Sequence, residues 1–525
     1  MQRRELLQQL GRQAAALALA RLFGAPAQAQ TTAARWPAHL DDPFTLGVAS
    51  GMPRPGSVVI WTRLAPRPPE PGGGLPPVPL AVRWELAEDE QFSVDLRRGE
   101  FIARSAQAHS VHVEVDGLAS GRVWFYRFIA GDALSPVGRT RTAPAEDTVV
   151  SRLRIALASC QHYEQGWYAA HREIAASELD AVLFVGDYIY ESSNPRFRLR
   201  AHEGPVPRTL DDYRARHATY KLDADLRAAH AAHPWLLTWD DHEVENDYAG
   251  EANGSGLDTA AFLRRRAAAY QAYFEHLPVS PGMAPQGPAM TIHQQFRWGR
   301  LAELWTLDNR QYRDLQACNP EGQSGGRVLS SCEALADPAR SMFGAAQERW
   351  LAQGLAASRR PWKLIAQATQ LSPSGIDTPF GRRLYTDGWD GYPHARERLL
   401  DAIAASTARG GGNALVLGGD VHRHVAANLR QRPDDPRSPV LAGEFVCSSL
   451  TSRGLSETLM AAIRASNPDL LHARSDERGY ALLDIRAEAT TCDFRATPFP
   501  AQAGARLHSQ ARFAVEAGQP GVVSG

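Results

Sequence analysis

Four short polar clusters in the sequence carry side chains that can bind metal ions. Each cluster directly follows an apolar run, and together they supply a thiol, carboxylates, a phenol and imidazoles. The clusters are residues 158–162 (ASCQH), 186–190 (GDYIY), 239–243 (WDDHE) and 418–422 (GGDVH). Ligands in α/β sheets bind beyond the carboxyl ends of the strands, so side chains this far apart in sequence can converge on one site.

The side chains in these clusters suit two kinds of cation. Asp187 follows a glycine, which lets the chain turn sharply, and its two carboxylate oxygens can bridge two ions. Tyr190 can offer a phenolate to a ferric ion, and the thiolate of Cys160 favours a transition metal. Each of these residues alone could be a turn residue, a helix cap or a packed aromatic side chain. Because all four clusters follow strands, the set together predicts a metal site. The remaining candidate ligands are Asp241, Asp420 and His422.

The elements that must position these clusters follow an α/β pattern. Continuous apolar runs, each ending at one cluster, predict buried strands at 154–158, 181–185, 236–239 and 415–417. Further strands are predicted at 301–307 and 362–367, and helices at 166–179, 210–230 and 259–276. Strands without a polar face, separated by helices, indicate a layered α/β fold whose sheet is buried on both sides.

The preceding residues, from 44 to 144, follow a different pattern. Short alternating runs are separated by segments rich in proline and glycine, and examples are 81–86, 109–115 and 123–129. This pattern predicts an all-β sandwich of immunoglobulin or fibronectin type, without a catalytic cluster. We therefore divide the chain into a signal peptide at 1–30, a β-sandwich domain at 40–145, a catalytic domain at 150–500 and a tail at 501–525.

Composition and the N-terminus narrow the class of protein. The chain has 525 residues, and 44% of them are hydrophobic, so it can bury a large core. Its formal net charge of −1 disfavours nucleic acid as a binding partner, although nucleotides could still be substrates. Arg3-Arg4, an Ala/Leu-rich run at 14–22 and Ala27-Gln28-Ala29 have the order of a signal peptide. The paired arginines indicate the twin-arginine export machinery. We expect a periplasmic or secreted protein with no transmembrane segment in its mature form.

The five cysteines are informative because, in an oxidising compartment, their odd number leaves at least one unpaired. Cys318 and Cys332 flank a loop rich in glycine, serine and asparagine and could close it with a disulfide. Cys447 and Cys492 lie in two late strand-like segments and could also pair. Cys160 would then be the free thiol, at a strand end where ligands tend to lie.

The clusters belong to a larger set of strings that resembles a known family. GD-x-x-Y, DDHE and GD-x-H are similar to calcineurin-like metallophosphoesterase motifs. More narrowly, five strings together resemble motifs of the PhoD-type alkaline phosphatase family. They are ASCQ at 158–161, GDYIYE at 186–191, WDDHEVEN at 239–246, LDNRQYR at 307–313 and LGGDVH at 417–422. This resemblance covers most of the chain. It implies a four-layer α/β/β/α core behind an N-terminal β domain, and hydrolysis of phosphomonoesters and often of phosphodiesters to inorganic phosphate.

The resemblance also implies a particular pair of metal ions, iron (Fe3+) and calcium (Ca2+). Carried over by motif, Cys160, Asp187 and Tyr190 would hold iron, with Asp187 bridging to calcium. Asp420 and His422 occupy the family's last metal-binding loop, and the sequence does not divide them between the two ions.

The expected calcium ligands include a departure from the broader superfamily motif. Asp241 replaces an asparagine there, and a hard carboxylate at this position fits calcium. Asn246 is a further candidate ligand for calcium. Asp247 stands where the family often has asparagine, which adds a carboxylate near the site.

The expected reaction is in-line attack of a metal-bound hydroxide on phosphorus, without a covalent enzyme intermediate. His242 is the candidate to protonate the leaving oxygen or to bind a phosphate oxygen. Arg310 could bind a non-bridging oxygen bidentately, or it could be a structural arginine that pairs with Asp308. Two other functions stay open: a phosphodiesterase of phospholipase D or teichoic-acid type, and a secreted, non-catalytic binding protein whose metal site is structural.

Overall fold

The computed structural model describes residues 35–408, 410 and 412–525. The signal peptide expected at 1–30 lies outside these residues. The described chain is a mixed α/β fold, as the sequence predicts. Its α-helices are α1 (Ala169–Ala176), α2 (Leu210–Lys221), α3 (Ala224–Ala232), α4 (Thr259–His276), α5 (Ala345–Ala357), α6 (Pro393–Ala408) and α7 (Glu457–Ser466).

The strands fall into three groups along the chain. Before residue 145 they are β1 (Val48–Gly51), β2 (Ser57–Arg63), β3 (Leu80–Ala87), β4 (Arg97–Ala103), β5 (Ser110–Asp116), β6 (Val123–Ala130), β7 (Ala133–Leu134) and β8 (Gly138–Arg141). The middle group is β9 (Leu153–Ala158), β10 (Ala181–Val185), β11 (Pro234–Thr238), β12 (Gln294–Trp298), β13 (Ala302–Thr306), β14 (Val328–Leu329), β15 (Trp362–Ala366), β16 (Ile376–Thr378) and β17 (Gly381–Tyr385). The last group is β18 (Asn413–Gly418), β19 (His424–Arg430), β20 (Val440–Val446), β21 (Leu470–Arg474), β22 (Glu477–Ile485), β23 (Ala489–Pro498), β24 (His508–Glu516) and β25 (Val522–Ser524).

Two large sheets carry the strand ends that matter for function. One has the order β25-β24-β23-β22-β9-β10-β11-β1-β2-β5, and the other has the order β12-β13-β15-β18-β20-β19-β21. In the first sheet β9, β10 and β11 are parallel neighbours, and in the second β13, β15 and β18 are parallel neighbours. Parallel neighbours end at the same edge, so the polar clusters after these strands are brought together.

The strands are apolar on both faces because both faces are covered. Leu183 in β10 and Leu364 in β15 belong to one buried cluster that both large sheets share. The next residue along β15, Ile365, belongs to a second cluster that includes Leu351 of α5 and Leu399 of α6. Successive side chains of a strand point to opposite faces, so one face of β15 contacts the other sheet and the other face contacts helices.

The N-terminal strands are split between two sheets. β3, β4, β6, β7 and β8 form a smaller antiparallel sheet. β1, β2 and β5 instead extend the ten-stranded sheet, because β1 pairs in parallel with β11, with Ser50 opposite Pro234. Val58 of β2 and Val82 of β3 lie in a common buried cluster with Trp124, so the two sheets pack over a core of their own.

Two segments differ from the boundaries that the sequence suggests. The helical pattern at 210–230 is two helices, because the Asp223 side chain accepts hydrogen bonds from the main-chain N–H groups of Asp225 and Leu226 and begins α3. The segment 501–525, treated above as a tail, contains β24 and β25. In β24 Phe513 and Val515 are buried and their neighbours are more exposed, so this part of the segment has a short alternation with a period of two.

The cysteines only partly follow the sequence analysis. The disulfide Cys318–Cys332 is present, as predicted. The suggested pairing of Cys447 with Cys492 is wrong, because both are free and buried, one directly after β20 of the seven-stranded sheet and the other within β23 of the ten-stranded sheet. Cys160 is also free and buried. Among the described residues, no helix combines the length and the apolar composition that crossing a membrane requires.

Candidate active site

The four polar clusters meet at one place, as the strand pattern predicts. Candidate ligand atoms of Cys160, Asp187 and His422 lie within 4.8 Å of one another, and so do those of Asp187, Asp241 and His242. Asp187 is the residue that the two groups share. A shared carboxylate is the arrangement that a bridging ligand between two ions requires.

Four residues of the site have a backbone conformation that non-glycine residues rarely adopt. The φ angle is 59° at Cys160, 59° at Asp187, 60° at Asp420 and 50° at His422. Left-handed residues of this kind cost about 1–3 kcal/mol each and concentrate at functional sites. Gly186 has a φ of 110°, and a Cβ there would lie 2.6 Å from the main-chain nitrogen of Asp240, so the turn before Asp187 requires glycine.

Tyr190 is directed at the candidate ligands by hydrogen bonds to its phenol oxygen. That oxygen lies 2.8 Å from Oδ2 of Asp187 and 3.1 Å from Nε2 of His422. The hydroxyl of Ser452 donates to it at 2.8 Å. Burial, with the neighbouring charges of Asp187 and Cys160, raises the pKa of Tyr190 well above its ordinary value. The phenol therefore belongs to the group formed by Cys160, Asp187 and His422.

His422 is oriented by a main-chain carbonyl. Its Nδ1 lies 2.7 Å from the carbonyl oxygen of Arg453, which can only accept a hydrogen bond, so Nδ1 carries the proton. Nε2 is then the nitrogen with a free lone pair, and it faces the Tyr190 hydroxyl. Metal-binding histidines are commonly fixed in this way, with the other ring nitrogen donating to a carbonyl or a carboxylate.

His242 is held beside Asp187 by Glu191. Nδ1 of His242 lies 2.7 Å from Oε2 of Glu191, and the main-chain N–H of His242 donates to Oδ1 of Asp187 at 3.4 Å. The imidazole also packs against Tyr190, with ring centroids 4.1 Å apart. Burial opposes its charged form, but Glu191, Asp241 and Asp187 together outweigh burial and hold the pKa of His242 well above its ordinary value.

Arg310 is buried, and its guanidinium is engaged with carboxylates. Nε donates to Asp240, while Nη1 and Nη2 contact the two carboxylate oxygens of Asp387 at 3.0 and 2.9 Å. Asp308, the partner suggested by the sequence, accepts from the main-chain N–H of Arg310 and not from its guanidinium. The structure therefore brings Arg310 to the site but leaves no free fork on it for a phosphate oxygen.

The other expected ligands have different degrees of exposure. Asp241 is buried, and its Oδ2 accepts a hydrogen bond from the main-chain N–H of Asp247. Asp420 is half-buried, and its Oδ2 accepts from the Thr369 hydroxyl at 2.6 Å, which leaves Oδ1 available. Asn246 is exposed, and throughout the described chain only its main-chain N–H forms a hydrogen bond, to Glu191.

The electrostatics of the site fit bound cations. Burial raises the pKa of Asp420 to about 6, with Asp241 and Asp387 adding to the rise and Arg310 opposing it. Burial likewise raises the pKa of Asp187 and of Cys160 well above their ordinary values. Cations would remove this repulsion and allow the thiol and the carboxylates to ionise. The donors, a thiol, a phenol, an imidazole and several carboxylates, suit a transition metal next to a hard cation.

Several residues that shape the site were missed in the sequence. Glu191 stands in the GDYIYE string, but its position four residues after Asp187 gave it no role. Ser452 and Asp387 lie far along the chain, in segments without a recognisable ligand pattern. Only folding brings Ser452 to Tyr190 and Asp387 to Arg310.

Comparison with known proteins adds an independent line of support. The model of the family described as PhoD-like phosphatase matches residues 155–494. A second family model, described as PhoD-like phosphatase, N-terminal domain, matches residues 29–144. Alkaline phosphatase D of Bacillus subtilis (strain 168) is 42% identical over 488 residues, which are 91% of this chain and 82% of that protein. A solved structure described as the structure of PhoD has a TM-score of 0.87 and 40% identity, and the match covers 93% of each chain.

Fold, site and relatives together define a phosphate-ester hydrolase. The chain belongs to the PhoD-like phosphatase family, and the resemblance inferred from the five strings is confirmed.

Proposed function

We propose that the protein is an exported, metal-dependent alkaline phosphatase that hydrolyses phosphomonoesters and phosphodiesters and releases inorganic phosphate. The observation that carries the proposal is that Asp187 belongs to both groups of candidate ligands. Asp187 would thus help to hold both ions, and two bound cations would stabilise the negative charge of a phosphate ester during hydrolysis.

We assign iron to Cys160, Asp187, Tyr190 and His422. The support is the short distance of the Tyr190 phenol oxygen from Asp187 and His422, and the free Nε2 of His422. Thiolate and imidazole ligands favour a transition metal over calcium or magnesium.

We assign calcium to an all-oxygen set made of Asp187, Asp241, Asp420 and Asn246. Asp187 and Asp241 lie in the second ligand group, and Oδ1 of Asp420 is not used by the Thr369 hydroxyl. Calcium accepts six to eight oxygen ligands at flexible geometry, so an exposed amide such as Asn246 can complete the set together with water.

The chain's own residues then have separate tasks in the reaction. Bound metal ions would screen the charge of the ester and make a water molecule more acidic. His242 protonates the leaving oxygen through Nε2, because Nδ1 is occupied by Glu191. Glu191 also accepts the main-chain N–H of Asn246, so one carboxylate fixes both the general acid and the loop that follows it.

Arg310 acts as a positioning residue in this proposal. Its guanidinium holds Asp240 and Asp387 and lies 3.7 Å from Asp241, so it fixes the carboxylates on the calcium side of the site. Direct binding of a phosphate oxygen, the role first considered for it, would require these ion pairs to break.

Initial rates of phosphate release test the proposed reaction. We expect the metal-loaded protein to hydrolyse both members of matched monoester and diester pairs, and to lose activity on chelation. Hydrolysis of a chiral phosphate ester in labelled water should give inversion at phosphorus. Retention would contradict direct attack by water and favour a covalent intermediate.

The architecture and the route of export are further parts of the proposal. We take the two large sheets and their covering helices as a four-layer α/β/β/α catalytic core at 150–500, behind a β-sandwich domain at 40–145. Arg3 and Arg4 would direct the folded protein through the twin-arginine machinery to the periplasm or beyond. Replacement of both by lysine should retain the protein inside the cell in a fractionation experiment, whereas unchanged export would contradict this route.

The main rival is a secreted binding protein with a structural metal site. Structural sites use closed ligand sets, whereas our assignment gives both ions their ligands without His242, and Glu191 holds this histidine beside them. If metal-replete protein released no phosphate from any ester of a broad panel, the binding protein would replace our proposal.

A further inference from the structure

Arg453 connects the candidate metal centre to the protein surface. Its carbonyl oxygen accepts from Nδ1 of His422, and its main-chain N–H donates to Gln165 at 2.7 Å. The preceding residue, Ser452, donates to Tyr190. The backbone of Arg453 is therefore fixed against two candidate iron ligands, while its side chain is exposed.

The loop that meets this side chain is held in place by a buried carboxylate. Glu164 is 1% exposed, and it accepts from the Ser193 hydroxyl at 2.7 Å and from the main-chain N–H groups of Asn194 and His202 at 2.9 and 3.0 Å. Its own carbonyl accepts from Leu199 at 2.7 Å. These bonds secure both ends of the segment that carries residues 195–198, and Phe197 of this segment contacts Arg453.

Two guanidinium groups share one aromatic ring in this loop. The Arg453 guanidinium lies 4.2 Å from the centroid of the Phe197 ring, and that of Arg196 lies 5.6 Å from it. Neither arginine forms an ion pair with any carboxylate of the described residues, whereas Arg200 of the same loop pairs with Asp223 at 2.6 Å. Two like charges are thus gathered at one ring without an anion from the protein.

We infer that Arg196, Phe197 and Arg453 form a subsite for a second phosphate group of the substrate, beyond the one being hydrolysed. This inference rests on the proposed phosphoesterase function. Stacking on the ring leaves the N–H edges of a guanidinium free, and these edges match phosphate oxygens. A phosphate placed here offsets the repulsion between the two arginines.

The position of the subsite indicates the class of substrate. The hydrolysed phosphate must lie at Asp187 and His242, and the backbone of Arg453 contacts the same centre through His422, while its guanidinium lies on Phe197. A molecule that fills both places carries phosphates on neighbouring units. The preferred substrates are therefore small bisphosphorylated compounds rather than esters with a single phosphate.

A pair of nucleotides tests the subsite in the metal-loaded enzyme. Adenosine 5′-monophosphate and adenosine 3′,5′-bisphosphate share the base and the sugar and differ by one phosphate. For the wild type we expect a kcat/KM roughly five- to tenfold higher for the bisphosphate, a size typical of two exposed charge contacts. The double variant Arg196→Gln/Arg453→Gln should bring this ratio close to one, chiefly through KM.

Arg104→Gln is the matched control, because Arg104 directly follows β4, is exposed, and its side chain makes no polar contact with the described residues. It should keep the wild-type ratio. A wild type without preference, or a double variant that keeps the preference, would overturn the subsite.

Failure of the proposed function gives a different result, namely no phosphate release from either nucleotide by the wild type. In that case calorimetric binding of the bisphosphate decides about the subsite. Weaker binding in the double variant than in the wild type and Arg104→Gln supports it, and equal binding in all three overturns it.

Discussion

Glu191→Gln separates the role of His242 in proton transfer from its role in binding. Glu191 is 4% exposed, and its carboxylate accepts from His242 Nδ1 at 2.7 Å and from the main-chain N–H of Asn246 at 3.0 Å. In the variant, the amide oxygen can still accept from Asn246. The amide nitrogen, a donor, then faces Nδ1, so the imidazole can remain in place only in its neutral form.

The expected loss follows from the charge that is removed. A hydrogen bond to a charged group contributes about 1.5–3 kcal/mol, which corresponds to a roughly 10- to 100-fold change in rate. This loss applies where the leaving oxygen needs a proton. An alkyl phosphate has such a leaving group, whereas 4-nitrophenolate leaves readily without one.

The assay compares kcat of the wild type and the variant on an alkyl phosphate and on 4-nitrophenyl phosphate, with metal content measured in both proteins. We expect the large decrease only for the alkyl phosphate. Glu275→Gln is the control, because Glu275 is equally buried and pairs with Arg214 away from the site. Equal decreases on the two substrates, or none on either, would refute the assignment of His242 as the general acid.

Three further predictions concern stability. Arg310→Met leaves Asp240 without its cation and leaves Asp387 with Arg313 alone, so we expect a loss of about 3–5 kcal/mol in urea unfolding. A loss below about 1 kcal/mol would contradict the positioning role. Replacement of both Cys318 and Cys332 by serine opens a loop with a sequence separation of 14, and should lower the unfolding free energy by about 3 kcal/mol. Burial lowers the pKa of His217 to about 3. As the pH falls, the unfolded chain therefore binds a proton at this histidine before the folded protein does. The folded protein loses stability from about pH 6.5 towards pH 3, by up to about 1.4 kcal/mol per pH unit. The urea midpoint of His217→Phe should therefore depend less on pH than that of the wild type, and an unchanged dependence would contradict the assignment.

The positions of the candidate ligands could be predicted because strand direction decides them. The runs before Cys160, Asp187, Asp241 and Asp420 are apolar throughout, which is typical of strands buried on both faces. Their carboxyl ends must lie at one edge if neighbouring strands are parallel, and β9, β10, β11 and β18 have this arrangement within their sheets. The local pattern therefore contained most of the candidate ligands.

The contacts that orient these ligands could not be predicted from local patterns. Glu191 pairs with His242 across 51 positions, and Arg310 pairs with Asp387 across 77 positions. Arginine beside aspartate in sequence suggested the local partner Asp308, but the side chain extends across the sheet edge instead. The pairing of β1 with β11 is equally non-local, because it joins residues 50 and 234.

The most direct test of the proposed metal centre is metal analysis, with a visible spectrum, of the protein exported from its native host. The proposed metal centre predicts iron and calcium in comparable amounts, and an iron-to-phenolate absorption band that is lost in Tyr190→Phe. Cys160→Ala should alter the same band, while Tyr188→Phe, the neighbouring buried tyrosine whose hydroxyl contacts His230 instead, should keep it. Protein without iron whose activity is restored by zinc alone would contradict the proposed metal centre.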